Sequence, residues 1–130
     1  MSEPAVEKKI IAVVEDNADN RLLLRAILDE RYEILEYETG RQALEGLDRL
    51  APHLLLLDIS LPGMDGIEIL RRLRAHERLS RLPVIALTAH AIAGDREKYL
   101  SAGFDGYVTK PILDENVLLS AIEHLLNKKA

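Results

Sequence analysis

Short runs of branched apolar residues alternate along this chain with longer segments in which apolar residues recur at helical spacing. We predict five strands at the apolar runs, over residues 10–14, 33–36, 54–57, 84–87 and 107–108. The alternation is typical of a parallel sheet with helices on both faces, because a parallel strand is reached through a helical crossover. The sequence therefore predicts an α/β fold of five strands and five helices, with the charged second strand at an edge of the sheet.

The helical segments each carry an apolar stripe that we expect to face the sheet. The predicted stripes are Leu22, Leu23, Ala26 and Ile27 in the first helix, Ala43, Leu44, Leu47 and Leu50 in the second, Ile67, Leu70 and Leu73 in the third, and Val117, Leu118, Ala121, Ile122, Leu125 and Leu126 in the last.

Length and composition limit the class of protein. The 130 residues, 48% hydrophobic and 30% charged, suit one folded domain, which we place at residues 9–128 after a flexible tail at 1–8. No cysteine is present, which excludes disulfides and thiolate metal sites and favours a cytoplasmic location.

Charge and hydropathy exclude two kinds of partner. No apolar run is long enough to span a bilayer, so we expect no membrane insertion. The formal net charge of −5 opposes direct nucleic-acid binding, and we interpret the basic run Arg71, Arg72 and Arg74 as a solvated helix face.

Chemically active side chains follow four of the five predicted strands. Glu15 and Asp16 come after the first, Asp58 after the third, Thr88 after the fourth and Lys110 after the fifth. Because ligands bind beyond the carboxyl ends of such strands, we expect these side chains to converge. Three carboxylates in one crevice repel each other, and oxygen ligands without His or Cys suit Mg²⁺. The sequence therefore predicts a magnesium site, in which Mn²⁺ could substitute.

Five short motifs in this order resemble the response-regulator receiver domains of two-component signalling. They are Glu15-Asp16-Asn17, Leu57-Asp58-Ile59, the run Leu61-Pro62-Gly63-Met64-Asp65-Gly66, Leu87-Thr88-Ala89 and Lys110-Pro111. Each motif alone is weak, but together they cover essentially the whole chain at fitting separations. The resemblance implies a flavodoxin-like doubly wound sheet of order 2-1-3-4-5.

The resemblance also implies a role for each site residue. Asp58 would be the phosphoacceptor, taking a phosphoryl group from a phosphohistidine, with Lys110 and Thr88 contacting the phosphoryl oxygens. The family pattern implies metal ligands at Glu15, Asp16, Asp58 and the backbone carbonyl of Ser60. Glu15 stands where the family often has aspartate, which leaves an oxygen ligand in place but puts the metal preference in doubt.

The same resemblance implies how phosphorylation becomes a signal. Thr88 would follow the phosphoryl oxygens, and Tyr107 at the family's switch position would rotate inward behind it. Ala89 would leave entry room for the phosphoryl group, while His90 could modulate water access, although a solvated loop role is the simpler interpretation.

The implied partners are a sensor histidine kinase, a histidine phosphotransfer protein, or both. Two outputs are open. A downstream protein target would bind the face formed by the fourth helix, fifth strand and fifth helix, or the phosphoryl group would pass onward to a histidine phosphotransfer protein in a phosphorelay. The protein would be a monomer or a phosphorylation-dependent dimer. It would be a phosphoacceptor signalling domain, not an enzyme, although it would assist its own phosphorylation and dephosphorylation.

Three other functions are compatible with parts of the pattern. A haloacid dehalogenase-like phosphatase would need a second aspartate where this chain has Ser60. A flavin or nucleotide binder would need glycine and amide donors where this chain has Glu15 and Asp16. An interaction module that works without phosphorylation would typically lack the phosphoacceptor or the lysine, and both are present.

Overall fold

Five parallel strands form one sheet in the order β2-β1-β3-β4-β5. The computed structural model describes residues 8–59, 66–89, 95–110, 112 and 114–128. The strands are β1 (Ile10–Val14), β2 (Glu33–Tyr37), β3 (Leu54–Asp58), β4 (Val84–Thr88) and β5 (Gly106–Thr109). The predicted fold class and strand order are confirmed, with each predicted strand found within two residues of its observed ends.

The burial of each strand follows its place in the sheet. Every residue of β3 and β4 is buried, because both strands are covered by helices on their two faces. In β2 no residue is fully buried, as expected for a strand with one free edge.

Five helices among the described residues complete the fold: α1 (Ala18–Leu28), α2 (Gly40–Arg49), α3 (Gly66–Ala75), α4 (Asp95–Ala102) and α5 (Glu115–Lys128). Polar caps begin the first two, since Asn17 Oδ1 accepts from the Asn20 N–H at 3.0 Å and Thr39 Oγ1 accepts from the Gln42 N–H at 3.1 Å. The caps satisfy amide groups that a helix leaves unpaired at its start.

Two apolar cores lie on opposite faces of the sheet. Successive strand residues point to opposite sides, so Ile11 and Val13 join the core under α1 and α5, whereas Ala12 and Val14 join the core under α2, α3 and α4. The helices are thus divided two and three between the faces, as in a doubly wound sheet.

Parts of the predicted helix stripes are wrong. In α1 the fully buried residues are Leu24 and Leu28, whereas Leu22 is 67% exposed and Leu23 41% exposed. Ala26 is also exposed, and only Ile27 of the predicted stripe packs against the core. Leu50, directly after α2, and Val117 in α5 are exposed as well. Ile69 in α3 and Leu119 in α5 are buried, although neither belongs to a predicted stripe. The buried stripe of α1 is therefore rotated from the predicted one.

The solvated face predicted for Arg71, Arg72 and Arg74 is also wrong in part. Arg71 and Arg72 are exposed and pair with Glu68 on their own helix. Arg74, by contrast, donates to the carbonyls of Leu82 at 2.6 Å and Gly103 at 2.9 Å, and its guanidinium pairs with Asp105. Arg74 therefore joins the end of α3 to the segments that flank β4 and precede β5.

Within the described ranges, no helix has both the length and the apolar character that crossing a bilayer requires.

Candidate functional site

The carboxyl ends of four neighbouring strands form one edge of the sheet, and the predicted site residues lie there. Asp58 is the last residue of β3 and Thr88 the last of β4. The backbone holds the next residues in place, because the Glu15 N–H donates to the Tyr37 carbonyl at 3.1 Å and the Lys110 N–H donates to the Thr88 carbonyl at 2.7 Å. These backbone hydrogen bonds to neighbouring strands therefore fix the backbone positions of Glu15 and Lys110.

The Lys110 ammonium joins two buried carboxylates. Its Nζ donates to Asp58 Oδ2 at 3.0 Å and to Glu15 Oε1 at 3.1 Å. The Asp58 side chain is 3% exposed and that of Glu15 1% exposed, whereas that of Lys110 is 18% exposed. Burial makes these charges costly unless they are paired, so the shared ammonium stabilises both carboxylates.

Three carboxylates lie close enough together to share one cation. Glu15, Asp16 and Asp58 each offer an oxygen, and these oxygens all lie within 4.8 Å of one another. Asp16 is exposed, so solvent reaches the cluster at Asp16. With all three ionised, three negative charges and the one positive charge of Lys110 leave a charge of −2 (1 − 3). The donor set and this charge fit a divalent, oxygen-preferring ion.

The paired groups Glu15 and Lys110 both have a raised pKa, but the physical causes differ. Burial raises the pKa of the Glu15 carboxyl, and hydrogen bonds from Lys110 and the Asn17 N–H offset only part of that rise. Burial alone would lower the pKa of the Lys110 ammonium, but its hydrogen bonds to Asp58 and Glu15 outweigh burial and raise it. Lys110 therefore stays charged at neutral pH, and Glu15 ionises less readily than an exposed glutamate.

Thr88 is 1% exposed and has an aromatic neighbour that the sequence did not reveal. Its Oγ1 lies 3.5 Å from the hydroxyl oxygen of Tyr99 on α4. The Tyr99 ring in turn packs against Tyr107 on β5, with ring centroids 6.2 Å apart. The predicted switch residues Thr88 and Tyr107 are thus both in contact with Tyr99.

Gly66 brings the start of α3 against the backbone that follows Asp58. Its N–H donates to the Ile59 carbonyl at 3.0 Å. A Cβ at this position would lie 2.9 Å from the Ile59 Cα and 3.1 Å from the Asp58 carbonyl oxygen. The sequence places Gly66 at the end of the motif that begins at Leu61, in a turn and at the start of the third helix, but it does not reveal the close approach that excludes a side chain.

The remaining predicted site residues are less informative. Ala89 is exposed directly after β4. Ser60 and His90, predicted as a carbonyl ligand and a modulator, lie outside the described residues.

Comparison with known proteins identifies the family. The chain matches the response regulator receiver domain over residues 11–123, and it therefore belongs to that family. It is 38% identical over 105 residues to the polar-differentiation response regulator DivK of Brucella ovis, a match that covers 80% of this chain and 85% of DivK.

Receiver domains of sensor kinases are similar as well. The chain is 37% identical over 111 residues to the sensor protein GacS of Pseudomonas syringae pv. syringae, covering 82% of this chain and 12% of GacS. The solved receiver domain of the sensor histidine kinase PA1611 from Pseudomonas aeruginosa superposes with a TM-score of 0.84 at 35% identity, covering 92% of this chain and 98% of that domain. That domain holds a magnesium ion in its active site cleft.

Proposed function

We propose that Asp58 is the phosphoacceptor and takes a phosphoryl group from a phosphohistidine on a partner protein. The observation that carries this proposal is the position of Asp58, a buried carboxylate 3.0 Å from the Lys110 ammonium and within the cluster of three acids. A buried carboxylate held in one orientation beside a cation suits in-line attack on phosphorus, since positioning and charge neutralisation carry most of phosphoryl transfer.

Each side chain has a definite part in the transfer. An oxygen of Asp58 forms the new bond to phosphorus, the phosphorus–nitrogen bond breaks, and the imidazole leaves with the bonding electron pair. Lys110, already paired with Asp58, offers its ammonium to a phosphoryl oxygen as negative charge gathers there. Thr88 donates its hydroxyl to another of these oxygens, which its place at the end of the adjacent strand supports.

The three carboxylates of Glu15, Asp16 and Asp58 would hold Mg²⁺, with Mn²⁺ as a substitute. Support comes from their oxygen donors, their shared negative charge and the magnesium ion in the similar PA1611 domain. When bound, the metal would supply positive charge to the phosphoryl oxygens. The Ser60 carbonyl would be a further ligand, and Ala89 and His90 would border the phosphoryl group.

The proposed partners follow from the family. A sensor histidine kinase or a histidine phosphotransfer protein would supply the phosphoryl group, since similar domains occur in sensor kinases. A target protein would bind the face of α4, β5 and α5, where Leu100 is 37% exposed on α4. We propose residues 9–128 as the domain, a monomer or phosphorylation-dependent dimer, and a cytoplasmic location, which the absence of cysteine favours.

Incubation with Mg²⁺ and acetyl phosphate tests the proposed role of Asp58. We expect the wild-type protein to gain one phosphoryl group by intact-mass spectrometry, and the Asp58→Asn variant to gain none. Asp29→Asn is a matched control, because Asp29 is an exposed aspartate at the far end of α1 and should not alter the result. Equal phosphorylation of wild type and Asp58→Asn would contradict the proposal.

A further inference from the structure

Tyr99 on α4 lies between Thr88 at the end of β4 and the aromatic residues Phe104 and Tyr107. Its hydroxyl oxygen is 3.5 Å from Thr88 Oγ1, and the two residues are 5% and 1% exposed. Within the described part of the chain, the Tyr99 hydroxyl has Thr88 as its hydrogen-bond partner. A buried hydroxyl needs such a partner, because leaving it unsatisfied costs free energy.

The ring of Tyr99 belongs to an aromatic cluster. It packs edge-on against Phe104, with centroids 6.1 Å apart and planes at 86°, and against Tyr107 at 6.2 Å and 45°. Phe104 and Tyr107 flank the start of β5. A displacement of the Tyr99 ring would therefore be felt by both neighbours, because close-packed side chains do not move independently.

The distance between the two hydroxyls leaves room for a closer contact. O–H···O hydrogen bonds are typically about 2.7–2.8 Å long, so the observed contact is a loose one. A threonine hydroxyl has one proton to donate and two lone pairs with which to accept. If Thr88 donates its proton to a phosphoryl oxygen, a hydrogen bond with Tyr99 must have Tyr99 as donor.

We propose that Tyr99 is a positioning residue for Thr88, and that its hydroxyl donates to Thr88 Oγ1 when Thr88 engages the phosphoryl group on Asp58. The inference rests on the proposed function, since it requires an occupied Asp58. The chain of donors runs from Tyr99 to Thr88 to the phosphoryl oxygen, an arrangement in which each hydrogen bond polarises the next. Tightening of the loose contact draws Tyr99, and with it α4, towards the end of β4.

The proposed hydrogen bond from Tyr99 to Thr88 changes the switch role that the resemblance implies for Tyr107. The hydroxyl that stands beside Thr88 belongs to Tyr99, and Tyr107 packs on the ring of Tyr99. Tyr107 therefore responds to phosphorylation through Tyr99.

Beryllofluoride, a mimic of the phosphoryl group, allows the link to be tested with Mg²⁺ present. We compare the wild-type protein with Tyr99→Phe, which keeps the ring and removes the hydroxyl. Tyr32→Phe is the matched control, because Tyr32 is also buried but belongs to the core on the other face of the sheet. The chain has four tyrosines and no tryptophan, so isotope labelling of tyrosine rings gives few NMR signals.

The expected loss of affinity for beryllofluoride in Tyr99→Phe is about threefold to tenfold, as for one hydrogen bond. The Tyr99 and Tyr107 ring signals should shift on binding in the wild type, and the Tyr107 shift should fall to less than half in Tyr99→Phe. Tyr32→Phe should match the wild type in both measurements.

The possible failures are distinct from one another. Wild-type affinity in Tyr99→Phe, or a full Tyr107 response without the Tyr99 hydroxyl, overturns the inference and leaves the proposed function intact. Absence of beryllofluoride binding at Asp58 in the wild type overturns the proposed function and the inference with it.

Discussion

The ammonium nitrogen of Lys110 lies 3.0 Å from Oδ2 of Asp58, so the residue after β5 is paired with the last residue of β3. This contact crosses β4, which lies between the two strands in the sheet. The same ammonium also contacts Glu15 at 3.1 Å, so one cation compensates two buried acids at the ends of different strands, β1 and β3. The contact thus serves both the stability of the site and its proposed chemistry.

Removal of the Lys110 ammonium should destabilise the metal-free protein. We expect Lys110→Met to lose about 2 kcal/mol, because two hydrogen bonds to buried carboxylates disappear and protonation of Glu15 recovers part of the loss. Urea unfolding measures this free energy. Lys9→Met, at an exposed lysine near the opposite end of the sheet, should change stability by less than about 0.5 kcal/mol. Equal stabilities of the two variants would show that the pairing contributes nothing.

Magnesium should stabilise the folded protein through the acidic cluster. At about 100 times the dissociation constant a ligand adds about 2.7 kcal/mol, which thermal unfolding detects as a rise in Tm. Asp16→Asn should lose most of this rise, whereas Asp19→Asn, an exposed acid three residues further on, should retain it. A full magnesium response in Asp16→Asn would exclude Asp16 as a ligand.

Glu15 should make the stability of the metal-free protein depend on pH. Burial raises the pKa of the Glu15 carboxyl in the folded state above the ordinary 4.5. At a pH between 4.5 and this raised pKa, the folded state binds more protons than the unfolded state. The free energy of unfolding therefore falls as pH rises through this window. Glu15→Gln lacks this titration, so its stability relative to wild type should increase with pH from near 4.5 upwards. Chemical denaturation over a pH series measures the difference, and a constant or falling difference would contradict the assignment.

A side chain at position 66 should disturb the backbone beside Asp58. Gly66→Ala places a Cβ 2.9 Å from the Ile59 Cα, and such overpacking typically costs about 1–3 kcal/mol. We expect slower phosphorylation from acetyl phosphate as well, because α3 must move away from the end of β3. Gly106→Ala is the control, since its Cβ would meet no atom closer than 3.8 Å. Wild-type stability and reactivity in Gly66→Ala would contradict this account.

Arg74 should contribute more to stability than its neighbours on α3. Arg74→Ala removes hydrogen bonds to Leu82 and Gly103 and the pair with Asp105, and we expect a loss of about 2 kcal/mol. Arg71→Ala and Arg72→Ala remove only exposed pairs with Glu68 and should each lose less than about 1 kcal/mol. Denaturant unfolding of the three variants tests this ranking, and equal losses would reject it.

The sheet and the position of the site were predictable because they depend on strand periodicity and on chain direction. Parallel strands bring their carboxyl ends to one edge, so residues such as Asp58 and Lys110, far apart in sequence, are expected together. The buried stripe of α1 was not predictable in the same way. Its apolar residues occupy more than one face, and periodicity alone does not choose Leu24 and Leu28 over Leu22 and Leu23.

Contacts that depend on tertiary packing were beyond the sequence pattern. Tyr99 is an isolated aromatic in a largely polar helix, and its contact with Thr88 arises only when α4 packs on the sheet. Arg74 shares a basic run with two exposed arginines, and nothing in that run distinguishes the one that reaches Gly103 and Asp105. The short distance between Gly66 and Ile59 likewise depends on how α3 returns to β3.

Borohydride reduction of the phosphorylated protein identifies the side chain that carries the phosphoryl group. This reagent reduces an aspartyl phosphate to homoserine, so peptide mass spectrometry then reports which carboxylate carried the phosphoryl group. We predict homoserine at position 58 after treatment with Mg²⁺ and acetyl phosphate, and unmodified side chains at Glu15 and Asp16. Reduction at another carboxylate, with Asp58 unchanged, would contradict the account.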